Sequence, residues 1–408
     1  MAEKAIITRV HTSPLALHAA KWNALLAQQA HATPFMRHEY LAALHTSGSA
    51  VPATGWHPRF ITLERDGCLI AACPLYLKEH SYGEYVFDWA WARAYQEHGM
   101  HYYPKALIAV PFTPVPGSRL LARDDTARAA LIQAVLAWCE EQKLSSLHLL
   151  FGSAPDLVAC SEAGMMQRTT TQFHWKNAAP GGNSYRDFDD FLAALTQEKR
   201  KKVRQEQRRV RDAGVQFRWA RGADITQTDW DFFYRCYERT YLEHGNPPYL
   251  SRAFFERMAQ DMPGAWLLFI AERDGQAIAS SLIAVSADPI SARGQNDSTF
   301  SPLTAYGRYW GALERVDSLH FDACYYQPLA WCIAHGVDAF EGGAQGEHKM
   351  ARALMPVAAH SAHWLAHPAF ADAVERFLER EDEGMAAYLE ELHARTPFRN
   401  ATQQAASP

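Results

Sequence analysis

The stretch "GGAQGEHKMAR", Gly342–Arg352, gathers an amide, a carboxylate, an imidazole, an ammonium and a guanidinium around three glycines. Glycines let a loop come close to a ligand. Gln345, Lys349 and Arg352 are suited to hold an anionic substrate, and Glu347 or His348 to move a proton. A capped turn carrying surface charges is the competing reading. A second candidate is "GEYVFDWAW", Gly83–Trp91. As a strand it presents Tyr85, Phe87, Trp89 and Trp91 on one face and Glu84, Val86, Asp88 and Ala90 on the other. That arrangement predicts a pocket wall in which Glu84, Trp89 and Trp91 bind and Asp88 acts as base, against a buried core with an ordinary hydrogen-bonded Asp88. The third is "SLHFDACYYQ", Ser318–Gln327, where an extended chain puts His320 and Asp322 on one face and leaves Tyr325 or Tyr326 to protonate a leaving group. A histidine beside an apolar run also serves as a satisfied core residue.

Charge picks out a fourth segment. Between Glu198 and Asp212 there are eight Lys/Arg and three acids, a local net of +5, whereas the whole chain carries −5 and the other residues therefore −10. Val203 and Val210 give this helix a narrow apolar seam, and Lys201, Lys202, Arg204 and Arg208 belong to its basic surface. Either the face is merely solvated, steadied by i,i+4 pairs, or it meets a polyanion.

The elements that position these groups show through a repeat. "LAWC" occurs at Leu136–Cys139 and again at Leu329–Cys332; "ERDGCLIAACPLYL" (Glu64–Leu77) parallels "ERDGQAIASSLIAV" (Glu272–Val285), and "HATPFMRHEYLAAL" (His31–Leu44) parallels "HGNPPYLSRAFFERM" (His244–Met258). The matches keep one order, which predicts a tandem duplication. Each half reads as a helix, a hairpin closed by Asp-Gly, more sheet, the LAWC helix, and a final strand, "SLHLLF" or "VDAFEGG". The fold class is an α/β (α+β) sandwich used twice. Pro180, Gly181 and Gly182 interrupt the chain. The expected domains are 1–178, then 179–364 with the basic helix, then helices over 365–399 packed on the second domain, and a disordered tail, 400–408.

Composition narrows the class of protein. Hydrophobic residues make up 48% and charged residues 21%, the balance of a soluble globular chain. No apolar run has the roughly 18–20 residues of a membrane span, and the N-terminus lacks a secretory pattern. The seven cysteines include no C-x-x-C, so reduced thiols and a cytoplasmic location are expected. "HGMH" (His98–His101) and "HSAH" (His360–His363) lack partners at zinc spacing, and no metal is expected.

With "GEYVFDWAWARAY", "YYPKALIAVPFTPVPGSRLL", "EKRKKVRQEQRRV", "LHFDACYYQ" and "FEGGAQGEHKMARALMPV", the chain resembles the FemAB-like, peptidoglycan biosynthesis/recognition branch of the GNAT acyltransferases. The resemblance implies tandem GNAT-like domains of the acyl-CoA N-acyltransferase fold, and transfer of an acyl or aminoacyl group to an amine-bearing acceptor. Its co-substrate would be acyl-CoA or aminoacyl-tRNA. The basic helix would then meet tRNA, CoA or the diphosphate of a lipid-linked precursor. Lys349 matches a lysine that Fem-type proteins carry after a glycine-containing turn. The usual GNAT phosphate cradle, Arg/Gln-x-x-Gly-x-Gly/Ala, is absent; "RYWGAL" (Arg308–Leu313) comes nearest but has Leu313 where a small residue belongs. A lysine-like acceptor is only about 0.04% neutral at pH 7, so transfer needs a base and an oxyanion donor. No nucleophile elbow is present, which favours direct attack. Glu347, His348, Asp88, His320 and Tyr326 are the catalytic candidates. A non-catalytic protein that recognises peptidoglycan or nucleic acid is the other class.

Overall fold

The computed structural model describes residues 5–179, 182–286, 303–344 and 346–399. The chain divides into two units: 1–170 with 249–254 and 358–388, and 171–248 with 255–357 and 389–408. The border thus falls inside the strand Met166–Lys176, a few residues before the expected position near 178, and again inside Met355–Leu365. The tail 400–408 lies outside the described residues.

In the first unit the hairpin Phe60–Arg65/Cys68–Cys73 sits between Ile7–His11 and Leu121–Ala122 in a four-stranded antiparallel sheet. Asp66 and Gly67 both take positive φ, 55° and 73°, the turn that matches the twist of two paired strands. A second sheet runs Trp56–Pro58, Leu75–Lys78, Lys105–Ile108, Ser146–Leu150, and is extended by the end of Met355–Leu365, whose Ser361 faces Leu150. The helix Asp125–Glu141, holding the first LAWC, connects to Ser146–Leu150, which pairs parallel to Lys105–Ile108. One face of the helix (Leu131, Ile132, Val135, Cys139) closes over Ile61, Ile108 and Leu147 in a continuous apolar core.

In the second unit the strands run Val215–Arg221, Trp266–Arg273, Gln276–Val285, Thr304–Ala312, Ala339–Ala344, with the end of Met166–Lys176 alongside. Its hairpin turn repeats the first, with Asp274 and Gly275 at φ 52° and 73°. The second LAWC lies in Gln327–Ala334, which leads to Ala339–Ala344, also in a parallel pair, here with Thr304–Ala312. The two LAWC helices therefore occupy corresponding places in the element order. The parallel pairing covers only Thr304–Tyr306 against Ala339–Glu341, although Thr304–Ala312 runs on for six more residues.

Three expectations change. The C-terminal helix, Pro368–Ala394, packs for most of its length on the first unit rather than the second. Val374 and Leu378 share a buried cluster with Trp91, Tyr95 and Tyr102, and Phe370 lies 4.2 Å from the Tyr95 ring. "GEYVFDWAW" is not a strand. Residues 83–88 are irregular, and a helix, Trp89–Glu97, starts after Asp88. Trp91 and Tyr95, four apart, form its buried face, which the Trp–Ala alternation conceals. Nor is "SLHFDACYYQ" extended: Leu319–Phe321 is a short helix that widens into a π-helical turn, Asp322–Tyr326. Among the described residues no helix is long and apolar enough to cross a membrane.

Truncating Leu378 to Ala should destabilise the chain by about 2–4 kcal/mol. Hydrogen exchange read by mass spectrometry should rise in Trp89–Glu97 and stay unchanged in Gln327–Ala334; the reverse pattern would place the C-terminal helix on the second unit.

Candidate functional site

The glycine-rich loop of the second unit is built at the end of Ala339–Ala344. That strand bulges against its antiparallel neighbour, since Glu341 faces His174 and Ala344 faces Gln172, so two residues on one side match one on the other. A side chain at Gly342 would collide with Leu354 and come within 3.1 Å of the Phe173 carbonyl oxygen, so only glycine lets the chain pass. Gly346, at φ 111°, leaves room for the His348 ring, which would lie 2.6 Å from a Cβ there. The chain then winds into a 3₁₀ turn, Glu347–Arg352. Gln345 lies outside the described residues.

The turn faces inward with its cations. Lys349 is 4% exposed, donates to the Gly343 carbonyl oxygen at 2.9 Å, and burial pushes its pKa down to about 8. Arg352 is 3% exposed and makes three contacts: Nη1 to the His348 carbonyl oxygen at 2.7 Å, Nη2 to Glu206 at 2.7 Å, and its guanidinium carbon 3.6 Å above the Phe321 ring. Both Nη atoms are thus committed within the protein and Nε is buried without a partner among the described residues, so the group is not the open anion-binding one expected of it. His348 is exposed, and its Nε2 lies 3.2 Å from the Tyr325 hydroxyl. Partial burial and then the Lys349 and Arg352 charges lower its pKa, so the ring is neutral at pH 7. Glu347 is exposed and 3.7 Å from Arg395.

Glu206 is the residue sequence reasoning missed. It sits on the basic helix, Gln197–Asp212, yet is buried, accepting hydrogen bonds from Tyr326 and Arg352. Tyr326 is consequently a donor to a carboxylate, with a pKa raised by burial and by that bond. The signal was present: Glu206 shares a helical stripe with Val203 and Val210, both buried. His320 is pushed to about 4 by burial first and then by the neighbouring His348, Arg352 and Lys349. Asp322, raised to about 6 by burial, accepts from Gln327 at 3.0 Å. On a helical backbone His320 and Asp322 point to different sides, so they are not the pair expected of a strand. Lys201, Lys202, Arg204 and Arg208 are all exposed. Arg200, Lys201, Arg204 and Arg208 line an open groove of about 500 Å³.

In the first unit the two carboxylates expected in a pocket wall are buried instead. Lys105, wholly inaccessible, donates to Glu84 at 2.7 Å, to Ser81 at 2.8 Å and to Asp88. Burial opposes the lysine charge, but the two carboxylates outweigh it and hold its pKa above the ordinary value. Burial also works against the Asp88 charge, yet Lys105 and then His148 keep that carboxyl well below the usual range. Glu84, where burial wins, rises to about 7. Beyond Asp88 the network continues through Tyr102 (2.7 Å) to His148 (3.0 Å), whose Nδ1 lies 2.8 Å from that of His363. Trp89 is exposed and Trp91 buried, so they do not share a wall.

A family profile described as peptidoglycan biosynthesis/recognition, FemAB-like, matches residues 14–400. Among solved structures the chain is similar to FemX, with 10% identity, 88% of this chain and 98% of that one covered, and a TM-score of 0.52. It is also similar to the C-terminal domain of a putative lysylphosphatidylglycerol synthetase from Agrobacterium fabrum (11%, 89% and 95%, 0.51) and to L-PGS from Bacillus licheniformis (11%, 88% and 97%, 0.50). At such identities the likeness is one of fold. No curated protein sequence matches the chain.

Two consequences follow from these buried charges. Glu206→Ala should cost about 3–5 kcal/mol in urea unfolding, because it strands the Arg352 guanidinium. Lys349 has a folded pKa below its unfolded one, so the unfolded chain binds more protons between about 8 and 10.5; its contribution is fully present above that window and is lost as pH falls through 8. Lys349→Met should therefore be more stable than the unaltered protein at pH 7, by about 1–3 kcal/mol, and the gap should close as pH rises toward 10.5.

Proposed function

The chain belongs to the FemAB-like family of peptidoglycan biosynthesis and recognition proteins, and from that premise we propose that it is an N-acyltransferase, carrying an aminoacyl group from charged tRNA to the amine of a peptidoglycan precursor. The observation that carries this reading is the link between the basic helix and the His348 turn: Glu206 binds Arg352, and Arg352 binds the His348 carbonyl. A polyanion lying along Arg200, Lys201, Arg204 and Arg208 is thereby held in a fixed relation to the one exposed imidazole of the loop. These cations span about 12 Å of helix, more than a single diphosphate needs. Leu313–Ser318, between the strand Thr304–Ala312 and the helix after it, offers two acids, Glu314 and Asp317, and no glycine; that speaks against a pyrophosphate cradle there.

In the transfer the acceptor nitrogen attacks the ester carbonyl carbon, a C–N bond forms, and the carbonyl electrons move onto oxygen. Their return breaks the bond to the donor's ribose oxygen. The nitrogen gives its proton to His348, kept neutral at pH 7 by partial burial and then by the Lys349 and Arg352 charges, and a proton returns to the departing oxygen. Tyr325, kept protonated by burial, orients the ring. Lys349 and Arg352 act as positioning residues.

Thermal-shift titrations with charged tRNA and with acyl-CoA over a range of salt test the donor. Charged tRNA should stabilise the protein with a log–log salt slope of about −3 to −4; a response to acyl-CoA alone would replace it as donor. His348→Ala should lower kcat by about 10²–10⁴-fold and leave tRNA binding intact, and Lys349→Met should move the acid limb of the rate profile to higher pH. Failure of the unaltered protein to transfer from either donor would leave only recognition.

A further inference from the structure

Two stretches that take no part in the proposed transfer share one pattern. "SLH", Ser146–His148, and "SAH", Ser361–His363, each place a serine two residues before a histidine. In the first unit both are extended, and the strands that carry them pair antiparallel with His148 directly opposite His363. The serine and histidine of each strand therefore share a face, and the two imidazoles meet with their Nδ1 atoms 2.8 Å apart. Each Nε2 has its own strand's serine as a neighbour, Ser146 at 2.9 Å and Ser361 at 2.8 Å. Both rings are buried, and Trp91 stands edge-on to His363 with the centroids 5.0 Å apart.

One fixed donor decides where the hydrogens of this cluster lie. Tyr102 gives its only proton to the Asp88 carboxylate at 2.7 Å, so it can only accept from His148, whose Nε2 is 3.0 Å away. Nε2 of His148 then carries a hydrogen, of which Ser146 takes a share. A neutral ring has one N–H, which leaves Nδ1 of His148 as an acceptor, Nδ1 of His363 as its donor, and Nε2 of His363 as the acceptor of the Ser361 hydroxyl. Every donor in the chain from Ser361 points toward Asp88. The charged and titratable groups around the pair are Asp88 and Glu84 from the irregular loop, Tyr102 and Lys105, and Arg168 on Met166–Lys176. Asp88 favours a charged ring, whereas Lys105 and Arg168 oppose one. Burial first and then Lys105 push His148 down to about 3, and burial first and then His148 and Arg168 hold His363 well below its ordinary value.

We propose that the His148–His363 pair is an acid-released clasp between Ser146–Leu150 and the end of Met355–Leu365, closed while both rings are neutral and opened by the uptake of two protons. Only one hydrogen fits between the two Nδ1 atoms. His363 can take a proton on Nε2 if the Ser361 hydroxyl turns round, but His148 has no free nitrogen, so charging both rings sets N–H against N–H and parts them. In an opened strand each histidine binds its proton near pH 6.5. The folded pKa values are lower, so the clasp contributes in full above that pH and is lost as pH falls below it. It lies within the first unit and stands independently of the transfer reading.

The full-length protein carrying nitrogen-15 histidine would be read by NMR at pH 7. Two neutral rings should show a coupling across an Nδ1–H···Nδ1 bond, one ring with its own hydrogen on Nε2 and the other with the shared hydrogen on Nδ1; His148→Gln should remove the first and His363→Gln the second. Amide exchange of residues 359–365, corrected for the intrinsic rate at each pH, should speed up by about 100-fold for each unit below about 6.5, because opening takes up two protons. His363→Gln keeps a donor and an acceptor but does not titrate there, and should reduce this to about tenfold per unit. Absence of the coupling, a charged ring at pH 7, or the same pH dependence of exchange in His363→Gln would overturn the proposal. The coupling is read in the unaltered protein, so it decides the matter even where a variant fails to fold.

Discussion

One carboxylate holds the polar end of the second unit together. A helix with eight cations turns its central acid, Glu206, away from solvent, where it meets Tyr326 from the π-helical turn and Arg352 from the 3₁₀ turn. Burying a carboxylate and a guanidinium is unfavourable unless the remaining hydrogen-bonding capacity is used. It is used in part here by the His348 carbonyl, while the Phe321 ring covers the guanidinium face. Three segments distant in sequence, near residues 206, 326 and 352, are therefore fixed by one carboxylate, through its ion pair with Arg352 and the hydrogen bond it accepts from Tyr326. The backbone of His348 inherits its place from a residue on the basic helix.

The first unit meets the same desolvation problem with another stoichiometry. One ammonium, Lys105, serves two carboxylates, and the two cannot be equally satisfied. Asp88 takes the ionised role, while Glu84 rises to about 7. His148 is forced down to about 3, first by burial and then by Lys105. Its bond to His363 and that histidine's bond to Ser361, at 2.8 Å, keep both rings occupied inside the protein. Strong perturbation alone marks functional sites poorly. Here it belongs to a sealed network, whereas the milder shift of His348 belongs to a ring that solvent can reach.

What could be read from sequence is what the chain decides locally. The Asp-Gly turns require two positive φ angles, and both hairpins have them. The LAWC helices and the strands after them follow from apolar spacing. The partner of the C-terminal helix was illegible, because the stripe of Phe370, Val374 and Leu378 is complementary to any apolar surface and names none. In "GEYVFDWAW" the alternation of large and small residues imitates a strand, while the i,i+4 pair that decides the matter, Trp91 and Tyr95, lies half outside the segment. Lys105 was unreadable as a site residue for a different reason: its partners Glu84 and Asp88 are 21 and 17 positions away, joined to it only by the fold. Glu206 was legible in principle, as an acid on a seam of valines, and was obscured by the charge around it.

The two units share an order of elements, and they differ in how the end of the last strand satisfies its backbone. After Ser146–Leu150 the side chain of Asp156 accepts from the amides of Arg119 (2.7 Å), Ser153 (3.1 Å) and Leu120 (3.3 Å) and caps the helix Ala154–Glu162. Those donors are consumed, and no ligand can compete with a buried carboxylate for them. After Ala339–Ala344 the 3₁₀ turn Glu347–Arg352 has no side-chain cap; glycines carry the chain around, Lys349 takes the Gly343 carbonyl from within, and an imidazole is left at the surface. A carboxylate at one strand end closes it, and a lysine beneath the other props it open. The location of reactive groups in such a protein thus depends less on the shared architecture than on which side chain answers the unpaired backbone where the last strand stops.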